Sequence, residues 1–247
     1  MRKNTLLIIV ILFIVSCNQK KLSPAQIVNK AIEASGGDNY KTAEITFQFR
    51  DKKYRSKRKN GEYQLERFQI DSLGNNIADR LSNEGFVRIV NDSTVSLSDR
   101  EIKKYSNSVN SVHYFVQLPF GLEGDAVNKE LIGKDSIKNK EYYEIKVSFD
   151  QEGGGTDYED EYMYWINTDS FTVDYLAYSY HVNGGGIRFR EAFNPRVVNG
   201  LRFVDYKNYA EKDLSTPLEK LDNLYQAGEL ELFSEIITED IEVDLSE

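Results

Sequence analysis

Cys17 is the only cysteine among 247 residues, and it stands directly behind ten uninterrupted apolar residues, Leu6–Val15, and Ser16. A lone thiol cannot form an internal disulfide or a multi-thiolate zinc site. Its position points instead to acylation of the sulfur. Met1-Arg2-Lys3-Asn4 is a short basic start, a greasy run follows, and a small residue precedes the cysteine, which is the order of a secretory signal. Ten helical residues span about 15 Å, half the hydrocarbon thickness of a bilayer, so the run is expected to be cut between Ser16 and Cys17 rather than to remain as a span. The expected organisation is a signal peptide over 1–16, a lipidated linker over 17–22 and one domain over 23–247.

Ile14-Val15-Ser16-Cys17 resembles the bacterial lipobox, whose cysteine thiol receives a diacylglyceryl group before cleavage. Two or three acyl chains hold a protein on a membrane durably where one does not. The residues behind the cysteine, Asn18-Gln19-Lys20-Lys21, lack the acidic residues associated with surface export in Bacteroidota lipoproteins. The expected address is therefore the cell envelope, lipid-anchored through Cys17, on the outer membrane facing the periplasm.

Other constellations bear on ligands. Tyr114, Phe115, Leu118, Pro119, Phe120 and Leu122 form the densest apolar cluster outside the signal, either a lid over a cavity or a dock for a helix. Arg188 and Arg190 share one face of a strand by alternation, and could take a lipid phosphate or a carboxylate bidentately, or fix register by pairing with Glu191 and Asp205. Asp150, Glu152, Asp157, Glu159, Asp160 and Glu161 surround Gly153-Gly154-Gly155. Calcium asks for six to eight oxygens, but the spacing is not an EF-hand, and a solvated acidic edge explains the cluster as well. Seven bases between Arg50 and Lys59 read as a charged hairpin, partly neutralised by Glu62 and Glu66 on the next strand.

Enzyme signatures are absent: there is no G-x-S-x-G elbow, H-E-x-x-H, P-loop or G-x-G-x-x-G. Two histidines, His113 and His181, far apart in the chain, limit metal chemistry. No catalytic residue, metal or cofactor is expected. With 40 acidic against 31 basic residues the net charge of −9 opposes nucleic acid as a partner.

The elements that must position these residues follow from period and punctuation. Ser23-Pro24-Ala25-Gln26 is a capping box with proline in the first turn, and Gly36-Gly37 stops the helix it starts, 24–35. Further helices are expected between Asp99 and Leu118 and between Pro217 and Ala227. From Glu44 the period becomes two, with turns such as Asn60-Gly61, Asn183-Gly184 and Asn199-Gly200, the signature of antiparallel hairpins. Strands are expected near 43–50, 53–59, 62–70, 76–81, 85–90, 93–98, 140–150, 157–166, 171–182, 187–193, 200–209 and 229–245. A sheet this long must twist and curl.

An early helix ending in Ser35-Gly36-Gly37, a long meander, and then Tyr114-Phe115-Val116-Gln117-Leu118-Pro119-Phe120-Gly121-Leu122 remotely resemble the lipoprotein-carrier superfamily of LolA, LolB and LppX. The stretches Gly184–Pro195 and Asn199–Tyr206 resemble more closely a family of Bacteroidota lipoproteins of unknown function. The superfamily resemblance implies a mainly β (α+β) fold: a single, strongly curved antiparallel sheet, a half-barrel of about eleven strands. About three helices would cover its concave face over an apolar cavity that takes acyl chains. Fold does not carry activity with it. The expectation is a lipid-anchored envelope protein holding a hydrophobic ligand, an acyl chain or lipid, as carrier, receptor or sensor. The alternatives are an interaction module of an envelope complex with a filled core, and a carbohydrate-binding or carbohydrate-active protein.

Overall fold

The structure, a computed structural model, describes residues 21–153, 158–181 and 184–245. The signal peptide, Ser16, Cys17 and most of the linker lie outside the described residues, as does Asp157. Helix α1 (Pro24–Ser35) begins as its sequence dictates: the Ser23 hydroxyl accepts from Gln26 N at 3.2 Å, and the Gln26 amide oxygen accepts from Ser23 N at 2.9 Å. It ends at Gly36, where φ is +131° and a Cβ would stand 2.4 Å from Leu201 Cδ2. Only glycine fits there, because the chain must turn away while touching the backbone at Gly200 and Leu201.

Six strands follow as a meander: β1 (Ala43–Phe49), β2 (Lys52–Lys59), β3 (Glu62–Ile70), β4 (Asn76–Ser82), β5 (Gly85–Val90) and β6 (Ser93–Thr94). Helix α2 (Asp99–Val116) then carries the chain to a second meander, β7 (Val127–Ile137), β8 (Lys140–Phe149), β9 (Glu161–Asn167), β10 (Val173–Tyr180), β11 (Gly186–Val198) and β12 (Leu201–Glu211). Helix α3 (Leu221–Ala227) precedes β13 (Glu231–Ile236) and β14 (Glu239–Leu245).

Among the described residues the fold is mainly β with three α-helices, but the strands form two antiparallel sheets of seven rather than one of eleven. Sheet A runs β14-β1-β2-β3-β4-β5-β6 and sheet B runs β13-β12-β11-β10-β9-β8-β7, and neither closes on itself. Residues 229–245, expected as one strand, break between Ile236 and Glu239, so that β13 ends sheet B and β14 crosses to pair with β1. Asp205 pins the break: its Oδ1 accepts from Thr238 N at 3.0 Å and from Arg196 Nη2 at 3.0 Å, while Arg196 Nη2 also donates to Thr238 O.

Strand β7 is absent from the sequence reading. Its inward positions are Val127, Lys129, Leu131, Gly133, Asp135 and Ile137, with a bulge between Leu131 and Gly133. Polar residues at alternate inward sites erase the period-two signal. The helices do not share one face either. Ile27, Val28, Ala31 and Ile32 of α1 pack with Ile145, Tyr164, Ile166 and Leu176, whereas Leu221 of α3 packs with Tyr142, Met163, Trp165 and Phe189. Adjacent residues of a strand point to opposite faces, so α1 and α3 cover opposite sides of sheet B.

Candidate functional site

Helix α2 is fixed to sheet A by polar contacts. Arg67, itself paired with the fully buried Asp79 at 2.6 Å, donates to Ser108 Oγ at 2.7 Å. Arg88 also pairs with Asp79 at 2.6 Å and lies 3.4 Å from the Tyr105 ring centroid. One turn from the helix end, His113 Nε2 donates to Glu66 O at 3.1 Å, and its Nδ1 accepts from Gln117 Nε2 at 3.3 Å. Those partners define the neutral tautomer, because a carbonyl can only accept. Burial between Phe47 and Tyr54 lowers the imidazole to about 3.

The opposite side of α2 faces sheet B across a cleft of about 790 Å³. Residues from the whole length of the helix line it at three- and four-residue spacing, from Arg100 through Asn107 and Ser111 to Phe115 and Val116. The facing wall comes from β9 to β13: Tyr162, Tyr178, Tyr180, Arg188, Arg190 and Tyr206 among them. The cleft is therefore aromatic and basic, not uniformly apolar as the superfamily resemblance implied.

Arg188 and Arg190 stand together on the cleft face of β11, as alternation predicts. Neither pairs with Glu191 or Asp205: Glu191 binds Lys138 at 2.6 Å, and Asp205 binds Arg196. Arg188 donates to Tyr180 Oη at 3.0 Å and to Ile187 O at 2.9 Å. Arg190 donates to Tyr178 Oη at 2.8 Å, stacks 3.9 Å from the Phe115 ring centroid and is 7% exposed. Its Nη1 has no hydrogen-bond partner among the described residues.

The aromatic cluster after α2 divides. Phe115 lines the cleft. Tyr114, Leu118 and Leu122 join the core beneath α1, with Tyr114 Oη 2.6 Å from Tyr164 Oη; burial pushes both phenols above their ordinary range and keeps them protonated. Phe120 stacks on Tyr40 at 5.0 Å, and Pro119 is buried between these groups in sequence. Of the acidic cluster, Asp160 reaches the cleft wall and Glu161 opens β9 beside Lys146, 3.2 Å away. Among the described residues, the carboxylates that the fold brings together are others. Asp135 on β7, Glu144 on β8 and Asp222 on α3 present oxygens all within 4.8 Å of one another. Burial, then the neighbouring Asp135 and Glu144, raise Asp222 to about 7, so this group shares a proton near neutrality. No spacing signal links positions 135, 144 and 222; only the docking of α3 on sheet B joins them.

A profile described as "Family of unknown function (DUF6503)" matches residues 3–239. No curated protein matches the sequence. Among solved structures, the chain is similar to a LolA superfamily protein from Nitrosomonas europaea, with 12% identity over 90% of this chain and 94% of that one and a TM-score of 0.49. It is similar also to a putative outer membrane lipoprotein-sorting protein domain from Vibrio parahaemolyticus, with 6% identity over 82% and 97% of the two chains and a TM-score of 0.44. A third likeness is to the lipoprotein LppX of Mycobacterium tuberculosis, with 10% identity over 65% and 88% and a TM-score of 0.29. At these scores no ligand, partner or address passes to this chain.

Proposed function

Because the chain belongs to the DUF6503 family, whose function is unknown, its activity must come from its own geometry, and we propose that it binds a hydrophobic ligand between α2 and sheet B. The carrying observation is the cleft of about 790 Å³, which falls in the size range of small-molecule sites. It is walled by Phe49, Val112, Phe115, Val116, Val204 and Ile236. Because Ser108 and His113 tie the middle of α2 to sheet A, the helix keeps its place without the cleft being plugged by sheet B. Each ligand methylene buried there contributes on the order of 0.8 kcal/mol before ordering costs. We read the protein as a carrier, receptor or sensor for an acyl chain or lipid, held at the cell envelope, with anchoring through Cys17 and removal of residues 1–16. The lipobox sequence supports that anchoring.

Native mass spectrometry of gently extracted protein is expected to show a co-purifying lipid-sized ligand. Ser111→Trp places an indole in the cleft from an exposed helix position. It should weaken binding of the neutral probe N-phenyl-1-naphthylamine at least tenfold with little change in thermal stability. Unaltered probe affinity in that variant would move the ligand site elsewhere.

A further inference from the structure

The cleft wall carries a charge pattern that narrows the ligand class. Arg100, Lys103, Lys104, Arg188 and Arg190 contribute to it, against Asp160 as its one carboxylate among the described residues. This excess of bases belongs to a chain whose net charge is −9. Along α2 the cleft-facing residues change from Arg100, Lys103 and Lys104 through Asn107, Ser108 and Ser111 to Val112, Phe115 and Val116. From Arg100 to Val116, about 24 Å along the helix, the surface passes from basic through polar to apolar.

Arg190 lies where the apolar stretch begins. The residue is 7% exposed, its guanidinium stacked against Phe115 and hydrogen-bonded only to neutral acceptors, Tyr178 Oη at 2.8 Å and Asn208 Oδ1 at 3.4 Å. No carboxylate among the described residues is paired with it, and Nη1 is unsatisfied. Burying a permanent cation without a counter-ion is costly, and a guanidinium fork matches the two oxygens of a carboxylate or phosphate. Two residues along the same face, Arg188 is likewise held by neutral oxygens, Tyr180 Oη and Ile187 O.

Resting on the reading of the cleft as a ligand site, we infer that its ligand is an anionic amphiphile whose carboxylate or phosphate pairs with Arg190 Nη1 while its alkyl part lies on Val112, Val116 and Ile236. Arg188 flanks the anion, and Arg100, Lys103 and Lys104 draw it in electrostatically.

The test uses the full chain carrying Cys17→Ser, so that no acyl group of its own competes, with displacement of N-phenyl-1-naphthylamine as readout. Four competitors are compared: palmitate, 1-oleoyl-glycerol 3-phosphate, uncharged monopalmitoylglycerol, and inorganic phosphate. The amphiphilic anions are expected to bind at least tenfold tighter than the uncharged lipid, and inorganic phosphate not to displace the probe. Whichever of palmitate and the phosphate lipid binds tighter identifies the head group. Arg190→Gln should erase the anion preference, lowering the affinity for the amphiphilic anions at least tenfold more than that for the uncharged lipid. If that variant does not fold, the head-group series on the Arg190-containing protein decides alone. Equal affinity for charged and uncharged lipids overturns the inference and leaves the cleft reading standing. Failure of every amphiphile and of the probe to bind overturns both.

Discussion

Two buried titratable side chains pull the stability of this protein in opposite directions with pH. Asp222 keeps its proton to about 7 in the folded chain, against an ordinary value of 3.8, so its contribution is complete below the ordinary value and is lost as pH rises towards 7. His113 resists protonation down to about 3 against an ordinary 6.5, so its contribution is complete above 6.5 and is lost as pH falls. Between roughly 4 and 6.5 the two slopes oppose, each worth on the order of 1 kcal/mol per pH unit. Asp222→Asn removes one of them. Its stability in urea titrations should fall steadily from pH 6.5 to 4.5, where the parent's stays nearly level; parallel profiles would show that Asp222 does not hold the proton. The sequence contains no hint of this site, because its three carboxylates come from β7, β8 and α3. The acidic run around Gly153–Gly155 is conspicuous because its members are neighbours in the chain.

At the level of elements, the break between β13 and β14 decides the architecture. A single extended run over 229–245 would keep one continuous sheet, but the chain changes sheets where Thr238 meets Asp205 and Arg196. Asp205 is 1% exposed and also accepts from Asn194 Nδ2 at 2.7 Å, so Asp205→Ala strands several donors at once. The expected loss is about 2–3 kcal/mol in chemical denaturation, moderated because Arg196 can turn to water, with Asp205→Asn losing less. Equal stability of Asp205→Ala and the parent would remove Asp205 as the pin. The α2 contacts make the same point about position. Periodicity locates a helix between Asp99 and Leu118, but Arg67, Asp79 and Ser108 choose the sheet it leans on, and that choice leaves the cleft on its other side.

For the whole molecule, charge is distributed by region. Loss of residues 1–16 would remove Arg2 and Lys3, so the net charge would pass from −9 to 29 − 40 = −11. Such a body is repelled by an anionic lipid surface even though its cleft is basic. Attachment would then depend on acyl chains rather than on surface charge. Cys17→Ser should move the protein from the membrane pellet to the soluble fraction. Persistence in the pellet at high salt would refute acyl anchoring.

Local and periodic features of this protein were legible without coordinates. The Ser23 capping box, the Asn60-Gly61 and Asn199-Gly200 hairpins and the shared face of Arg188 and Arg190 each depend on residues a few positions apart, where backbone sterics and the pleat of a strand act directly. Strand β7 escaped because Lys129, Gly133 and Asp135 occupy inward sites, and tertiary packing, not pattern, makes those sites inward. The division of the described strands between two sheets, the placement of α1 and α3 on opposite faces and the meeting of Asp135 with Asp222 required the folded chain. Alternation tells which side chains share a face but not what covers it. That is settled by contacts between segments distant in sequence, whose energies no local spacing encodes.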